Sequence, residues 1–315
     1  MINKPSHSYK SIVAKHKTLV LRRLMQNAAD NIDLRVKISY RQILQIGLPI
    51  AAAIIVPQIN FITNNIFLGG LNQQALAVAG ITGVYYLVFA VLGIGLNNGL
   101  QALISRRAGE NRIDEIGNLF SQGIRIAFVL AIIGILITWF LAPVILRWSM
   151  HDEQIIQMAI HFLRIRIFGL IFLYLYQMRN ALLVGTNRSK YLVIGTAAEA
   201  ISNIVLDYCL IYGKSGLPQL GFNGAAYASV IAEFIGLSSI FLVIHFKGIG
   251  KQLQLFKNWK YDAAHTKLIL VQSSPLIAQH AISILSWEFF YILIEHHGTR
   301  DLAISNTMRN IFGFF

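Results

Sequence analysis

Glu199, Asn203 and Asp207 carry the chemistry that this chain offers most plainly. At about 100° per residue they fall within roughly an 80° arc of one helix face. Asp207 lies in the run Asn203-Ile204-Val205-Leu206-Asp207-Tyr208-Cys209-Leu210-Ile211-Tyr212-Gly213, where no basic residue is close enough to neutralise it. An ionisable group in such surroundings is costly, is kept facing a protein interior or a water cavity, and marks an ion or substrate path. The plainer alternative is one carboxyl hydrogen-bonded for packing, and the spacing from Asn203 counts against it. More oxygen donors are within reach of the same region. Ser229 follows the small residues Gly224, Ala225, Ala226 and Ala228, which allow two helices to approach closely. Upstream, Asn60, Asn64 and Asn65 supply amides beside Pro49 and Pro57, which can kink a membrane helix and free backbone carbonyls. Glu233, one turn after Ser229, is either a contact for a substrate cation or the partner of Arg164 or Arg166, which lie at similar depth.

The elements that must position these groups are membrane helices. The chain is 55% hydrophobic and 13% charged, and its apolar residues gather into long blocks. Approximate spans are 43–68, 75–103, 119–146, 155–184, 191–213, 224–246 and 268–294, each long enough for the ~20 residues of a bilayer crossing. An eighth begins near Leu302. Membrane barrels show short alternating segments instead, so the fold class is all-α and polytopic. The basic excess is no nucleic-acid signal, because nineteen of the 27 Lys and Arg residues sit before the first span or after the second, fourth and sixth. Arg147, Lys214 and Arg300 alone mark the other side. That asymmetry puts the amino terminus and the even-numbered loops in the cytoplasm; the expected location is a bacterial-type inner (plasma) membrane, crossed several times. The single Cys209 excludes an intramolecular disulfide and any cysteine-based zinc or redox site. Residues 10–25 form either a basic helix on the inner leaflet or a solvated tail.

Shifted by 226 residues, the chain meets itself: Pro49 falls on Pro275, and Leu76-Ala77-Val78 on Leu302-Ala303-Ile304. Each proline opens a long span ending in a short outer hairpin. Transporters are often built from such duplicated bundles. The resulting organisation is a basic cytoplasmic tail at 1–40, a first six-helix lobe at 41–250, and an inter-lobe linker with an incomplete second lobe at 251–315. The expectation is a first bundle plus a fragment of the other, with the remaining helices supplied by another chain or absent.

Several motifs together resemble the multidrug and toxic compound extrusion (MATE) family. They are Asn-x-x-x-Asp-Tyr on the fifth span and Pro-x-x-Gly-x-x-Gly-Ala-Ala-x-Ala-Ser leading into the sixth. Ser105-Arg106-Arg107-x-Gly109, Leu-Ala-Ile-Ser-Asn at 302–306 and the early Pro49 complete the set. The similarity covers about residues 40–315. It implies the first lobe of a twelve-helix, two-lobe antiporter, plus the seventh helix and part of the eighth, exporting amphipathic, often cationic compounds against an inward flow of Na⁺ or H⁺. In members with a first-lobe cation site, an Asp on the first helix joins an Asn and an Asp on the fifth and a hydroxyl on the sixth. The resemblance therefore assigns ion coupling to Asp207, Asn203 and Ser229, and Asn64 takes the place of the first-helix Asp.

That replacement removes one negative charge. A site with one carboxylate holds Na⁺ less tightly than one with two, whereas a lone buried carboxyl can carry a proton because burial penalises its charged form. This favours H⁺. Glu199 would restore a second carboxylate, so Na⁺ at Asp207 and Asn203 stays open. Glu233 and Tyr208 are candidates for the substrate cavity. The aromatic residues Tyr85, Tyr86, Phe89, Phe172, Tyr174 and Tyr176 read first as packing or lipid-facing, and Gly95 with Gly99 as a helix-packing pair. His296 and His297 lack metal-site spacing. No nucleophile and base set, metal spacing or phosphate loop points to an enzyme, and no cofactor beyond the coupling ion is implied. A small-molecule substrate and the lipid bilayer are the partners. The competing readings are a flippase for lipid-linked saccharides, whose cavity should be lined by cations, and a truncated product without activity.

The loop assignment is open to a direct check. Single cysteines at 112, 217 and 257 in a Cys209→Ala background should react with an impermeant thiol reagent in intact cells at 217 alone. Labelling at 112 or 257 but not at 217 would invert the topology.

Overall fold

The computed structural model describes residue 34 and residues 39–149, 152–257 and 259–295. The chain divides into two units, Met1–Arg35 and Val36–Phe315, and every helix below belongs to the second. In order these are α1 (Tyr40–Gly69), α2 (Gln73–Gly109), α3 (Ile113–Ser149), α4 (Glu153–Arg166), α5 (Gly169–Gly185), α6 (Leu192–Tyr212), α7 (Phe222–Phe246), the single turn α8 (Ile249–Gln252) and α9 (Ala263–Glu295). No strand occurs among the described residues. The chain is an all-α polytopic membrane protein. The basic tail, the eighth span near Leu302 with its Leu302-Ala303-Ile304 match, His296, His297, and the side chain of Glu288 lie outside the described residues.

Helices α2, α3, α6 and α7 are long and apolar enough to cross a bilayer, and α4 with α5 makes a fifth crossing bent by 44°. The fourth span, expected to be continuous over 155–184, is therefore broken at Ile167 and Phe168. Helices α1 and α9 have 30 and 33 residues, longer than a crossing requires, but are less uniformly apolar. Asn60, Thr63, Asn64 and Asn65 interrupt one, and Gln272, Ser273, Ser274, Gln279 and His280 the other. Pro49 and Pro275 lie inside these helices instead of opening them.

Local chemistry sets the helix ends. Asn72 accepts from the Ala75 amide at 2.7 Å to start α2, and Asp152 accepts from Gln154 and Ile155 to start α4. Such caps satisfy amide groups that the helix cannot. Helix α6 stops at Gly213, whose φ of 67° is left-handed, and the Lys214 amide closes back on the Cys209 carbonyl at 3.0 Å. Leu220 then bonds the Leu210 carbonyl at 2.8 Å, folding the short hairpin against α6 and delivering the chain to α7.

The tightest approach follows from that hairpin. A β-carbon on Gly224 would lie 2.7 Å from the Leu210 carbonyl carbon and oxygen, so the α6 and α7 backbones touch there. The buried Ala225, Ala226, Ala228 and Ala232 continue the small face of α7. Gly95 and Gly99 serve the packing role read from their spacing, against Ile277 and Ser273 of α9. On the charged side of the bundle, Arg107 and Arg106 hydrogen-bond Glu110 and hold its carboxyl below the usual range. The segment after α7 folds back beneath α3: Gln122 donates to the Lys260 carbonyl at 2.9 Å, Arg125 covers the Trp259 ring, and Phe256 packs on Phe120.

The α6–α7 contact gives a stability prediction. Gly224→Val should cost about 1–3 kcal/mol, because the obstructing atoms are backbone. Gly109→Ala, with nothing within 4 Å of the added carbon, should be neutral or stabilising. Thermal unfolding of the two variants in detergent tests this; an unchanged midpoint for Gly224→Val would contradict the close approach.

Candidate functional site

Helix α6 presents Asn203 and Asp207 on its buried face, together with Thr196, Ala200 and Ile211. Asp207 is 0% exposed, and neither carboxyl oxygen has a hydrogen-bond partner among the described residues. One turn deeper, the Asn203 side-chain amide donates to Ser229 Oγ on α7 at 3.4 Å. The close helix approach created by Gly224 brings that hydroxyl within reach.

Helix α1 lines the other side of α6. Its C-terminal end is locked there: the Tyr212 hydroxyl donates to the Phe67 carbonyl at 2.8 Å, and the Phe67 ring meets those of Tyr208 and Tyr212 at 6.3 and 6.2 Å. Both helices end at the same face, so Asn64, three residues before Phe67, lies at a depth within about 5 Å of Asp207. The side-chain oxygens of Asn60 and Asn64, one turn apart, are buried and also have no hydrogen-bond partner among the described residues. Tyr208 itself is 48% exposed.

These buried oxygens are acceptors without donors among the described residues. Buried polar atoms are rarely left unanswered, and an ionised carboxylate has no hydrogen of its own to give. A proton on Asp207, a cation or an ordered water would each complete such a set. Among the described residues no three His, Cys, Asp or Glu side chains gather as a metal site.

Glu233 lies in a second cluster. Arg166 Nη1 donates to its Oε2 at 3.0 Å and Nη2 to its Oε1 at 2.6 Å, while the Tyr86 hydroxyl donates to Oε1 at 3.3 Å. The guanidinium stands 3.8 Å from the centre of the Tyr86 ring. Of the two roles read for Glu233, the structure displays the ion pair with Arg166; Arg164 turns instead to the Trp139 ring. Gly169 leaves room for the pair, since a β-carbon there would collide with Glu233 Oε2 and Arg166 Nη1. The break in the fourth span thus coincides with the buried ion pair.

Glu199 is not gathered with Asp207. It lies two turns deeper, about 12 Å along α6, with its side chain over Gly236 of α7. Tyr176 is nearby, 3.0 Å from where a β-carbon on Gly195 would stand. The other aromatic candidates pack: Tyr174 is fully buried and donates to the Phe89 carbonyl at 2.7 Å, Tyr85 contacts Thr138, and Phe172 meets Phe234. Sequence reasoning missed the part played by Gly169 and Tyr86. An arginine three residues before a glycine inside an apolar run was a usable signal for the first; nothing local in the sequence marked the second.

A family model described as MatE matches residues 49–209. The chain is 26% identical over 216 residues to the probable multidrug resistance protein NorM of Synechocystis sp., covering 69% of this chain and 47% of that protein. It is 30% identical over 233 residues to a probable NorM of Halalkalibacterium halodurans, covering 71% and 50%. The chain thus spans about half the length of the curated relatives it matches. Among solved structures, it resembles an outward-facing multidrug resistance MATE family transporter of the MOP superfamily, with a TM-score of 0.74 at 21% identity over 87% of this chain and 62% of that one. The matched segment runs from the early proline of α1 to the carboxyl-bearing face of α6, and on that basis the chain belongs to the MatE family.

Proposed function

We propose that this chain provides the ion-coupled lobe of a secondary antiporter that exports amphipathic, cationic drugs or metabolites in exchange for H⁺ or Na⁺. The observation that carries this reading is Asp207: fully buried, without a hydrogen-bond partner among the described residues, and flanked by α1, which bears the unpartnered amide oxygens of Asn60 and Asn64. Asn203, Ser229 and Asn64 complete the coupling set, and Glu199 stands deeper on the same helix. Asn64 in place of a second carboxylate favours H⁺, since two carboxylates hold Na⁺ better than one. Glu233 and Tyr208 are assigned to the substrate route, with Glu233 available to an organic cation once it exchanges its guanidinium partner. The membrane is the bacterial-type inner membrane, with the amino terminus in the cytoplasm, and further helices complete the second lobe.

A saccharide-lipid flippase needs cations facing an anionic headgroup. Arg166 is neutralised by Glu233 and Arg164 is stacked on Trp139, which supports the antiporter reading instead.

Carried in a complete two-lobe transporter, Asp207→Asn should abolish gradient-driven dye efflux from vesicles, because an amide neither cycles a proton nor supplies charge. Asn203→Ala should weaken efflux less. Asn64→Asp should shift the drive towards Na⁺ by restoring a second carboxylate. Undiminished efflux in Asp207→Asn under an imposed pH or Na⁺ gradient would remove the proposed role.

A further inference from the structure

Asn97, Asn98 and His280 form a polar chain inside the contact between α2 and α9. The Asn97 side-chain amide donates to Asn98 Oδ1 at 3.1 Å, and Asn98 Nδ2 stands 3.4 Å from His280 Nε2. We infer that His280 is a proton-binding site of this protein, distinct from Asp207, at which the two asparagines reverse the direction of their hydrogen bonds when the ring takes up its proton. The inference goes beyond the coupling role proposed for Asp207 and does not rest on it.

His280 lies near the middle of α9, about 25 Å from Ala263 and about 22 Å from Glu295 along the helix. An ionisable group at that depth is costly and marks a functional site. The ring is half-buried, and the polar group it meets among the described residues is the neutral Asn98 amide. The seam around it is tight. A β-carbon on Gly95 or Gly99 would stand 2.8 Å from the α-carbon of Ile277 or Ser273, so the two backbones touch. Asn97 is 6% exposed and Ser273 0%, and neither Asn97 Oδ1 nor Ser273 Oγ has a hydrogen-bond partner among the described residues. No charged side chain on the helices packed against α9 competes for the ring. On α2, Tyr85 contacts Thr138, Tyr86 donates to Glu233, and Arg106 and Arg107 bond Glu110 at the C-terminal end. On α3, Asp114 and Glu115 stand in the first turn, Arg147 stands in the last, and Arg125 covers Trp259. On α9 itself, His265 meets Asp262 and Lys267 is exposed.

The direction of the chain follows from its donors. Because Asn98 Oδ1 accepts from Asn97, the Asn98 amide nitrogen is the end that faces the ring, and Nε2 must accept. The ring is therefore neutral, with its hydrogen on Nδ1. A proton bound at the Nε2 lone pair would set a donor against a donor. Each asparagine answers by a half-turn of its amide about the Cβ–Cγ bond. Nε2 then donates to Asn98 Oδ1, and Asn98 Nδ2 donates to Asn97 Oδ1, the buried oxygen that has no partner while the ring is neutral. Only the proton enters. The new bond to the ring is charge-assisted, and such bonds are shorter and about twice as strong as neutral ones, whereas the neutral contact is long at 3.4 Å. Proton uptake therefore rewrites the polar bonds by which α9 is held to α2 while the same three side chains keep the seam closed.

The test is a nitrogen NMR titration of the 315-residue chain in lipid vesicles, with labelled nitrogen in the histidine rings and the asparagine side-chain amides. The His280 signals are assigned by their loss in His280→Gln or, should that variant not insert, by replacing the other histidines in turn. Between about pH 8 and about pH 5, where histidines titrate, Nε2 should change from a bare to a hydrogen-bearing nitrogen. The side-chain amides of Asn98 and Asn97 should shift with the same midpoint. In Asn98→Leu the Asn97 amide, which is joined to the ring only through Asn98, should lose its pH dependence. An Nε2 that carries hydrogen at about pH 8 or stays bare at about pH 5 would overturn the inference. Asparagine amides that stay fixed while the ring titrates would overturn it equally, and leave the chain a packing contact. An Asn97 amide that titrates unchanged in Asn98→Leu would report the field of the ring and remove the reversal. If Asn98→Leu does not insert, the shared or separate midpoints of the unsubstituted chain decide alone.

Discussion

A charge inside an apolar bundle must be answered by the chain itself, and the arrangement of this lobe follows from how that requirement is met. Arg166 and Glu233 answer each other with two hydrogen bonds and an aromatic cover. Breaking such a pair from one side leaves an uncompensated buried charge, which costs about 3–5 kcal/mol. Asp207 is the contrasting case: it is buried as deeply but has no hydrogen-bond partner among the described residues. The first cluster is closed chemically, and the second leaves its acceptors unanswered among the described residues.

Both clusters depend on how closely helices can approach. In lipid there is little hydrophobic drive between helices, and small residues that admit dispersion contacts and interhelical hydrogen bonds take its place. Gly224 brings the α6 and α7 backbones together and places Ser229 beside Asn203. Gly169 does the equivalent for the ion pair, and Gly95 with Gly99 seats α9 on α2. Larger residues at these positions would separate the polar groups that these contacts bring together.

Much of the fold was legible because lipid permits so few structures. Seven long apolar runs marked seven helical regions, and the Gly213 to Gly224 stretch announced both the hairpin and the close contact behind it. The polar face of α6 was equally legible, since a period of 3.6 residues puts Asn203 and Asp207 on one side. Three features were hidden. The break at Ile167 has no proline to reveal it, and a single glycine at 169 inside an apolar run is a weak breaker; it coincides with a contact between residues 67 positions apart. Tyr86 reaches Glu233 from a helix 147 positions away in sequence, a distance over which no periodicity speaks. Glu199 shares the angular position of Asp207 but not its depth, and angle alone suggested a nearness that about 12 Å of helix rise does not allow.

The bend in the fourth span bears on how the protein is made. Helix α4 has 14 residues and carries Arg164 and Arg166 in its last turn, too short and too polar to settle in lipid on its own, since a central arginine costs about 2.5–3.5 kcal/mol on insertion. The carboxylate that answers Arg166 emerges from the ribosome 67 residues later. The fourth span therefore enters the bilayer with a debt of charge that is cleared only when α7 arrives. Until then the segment must be sheltered at the insertion machinery or held at the interface, so synthesis order and buried electrostatics are linked at this one glycine-lined bend.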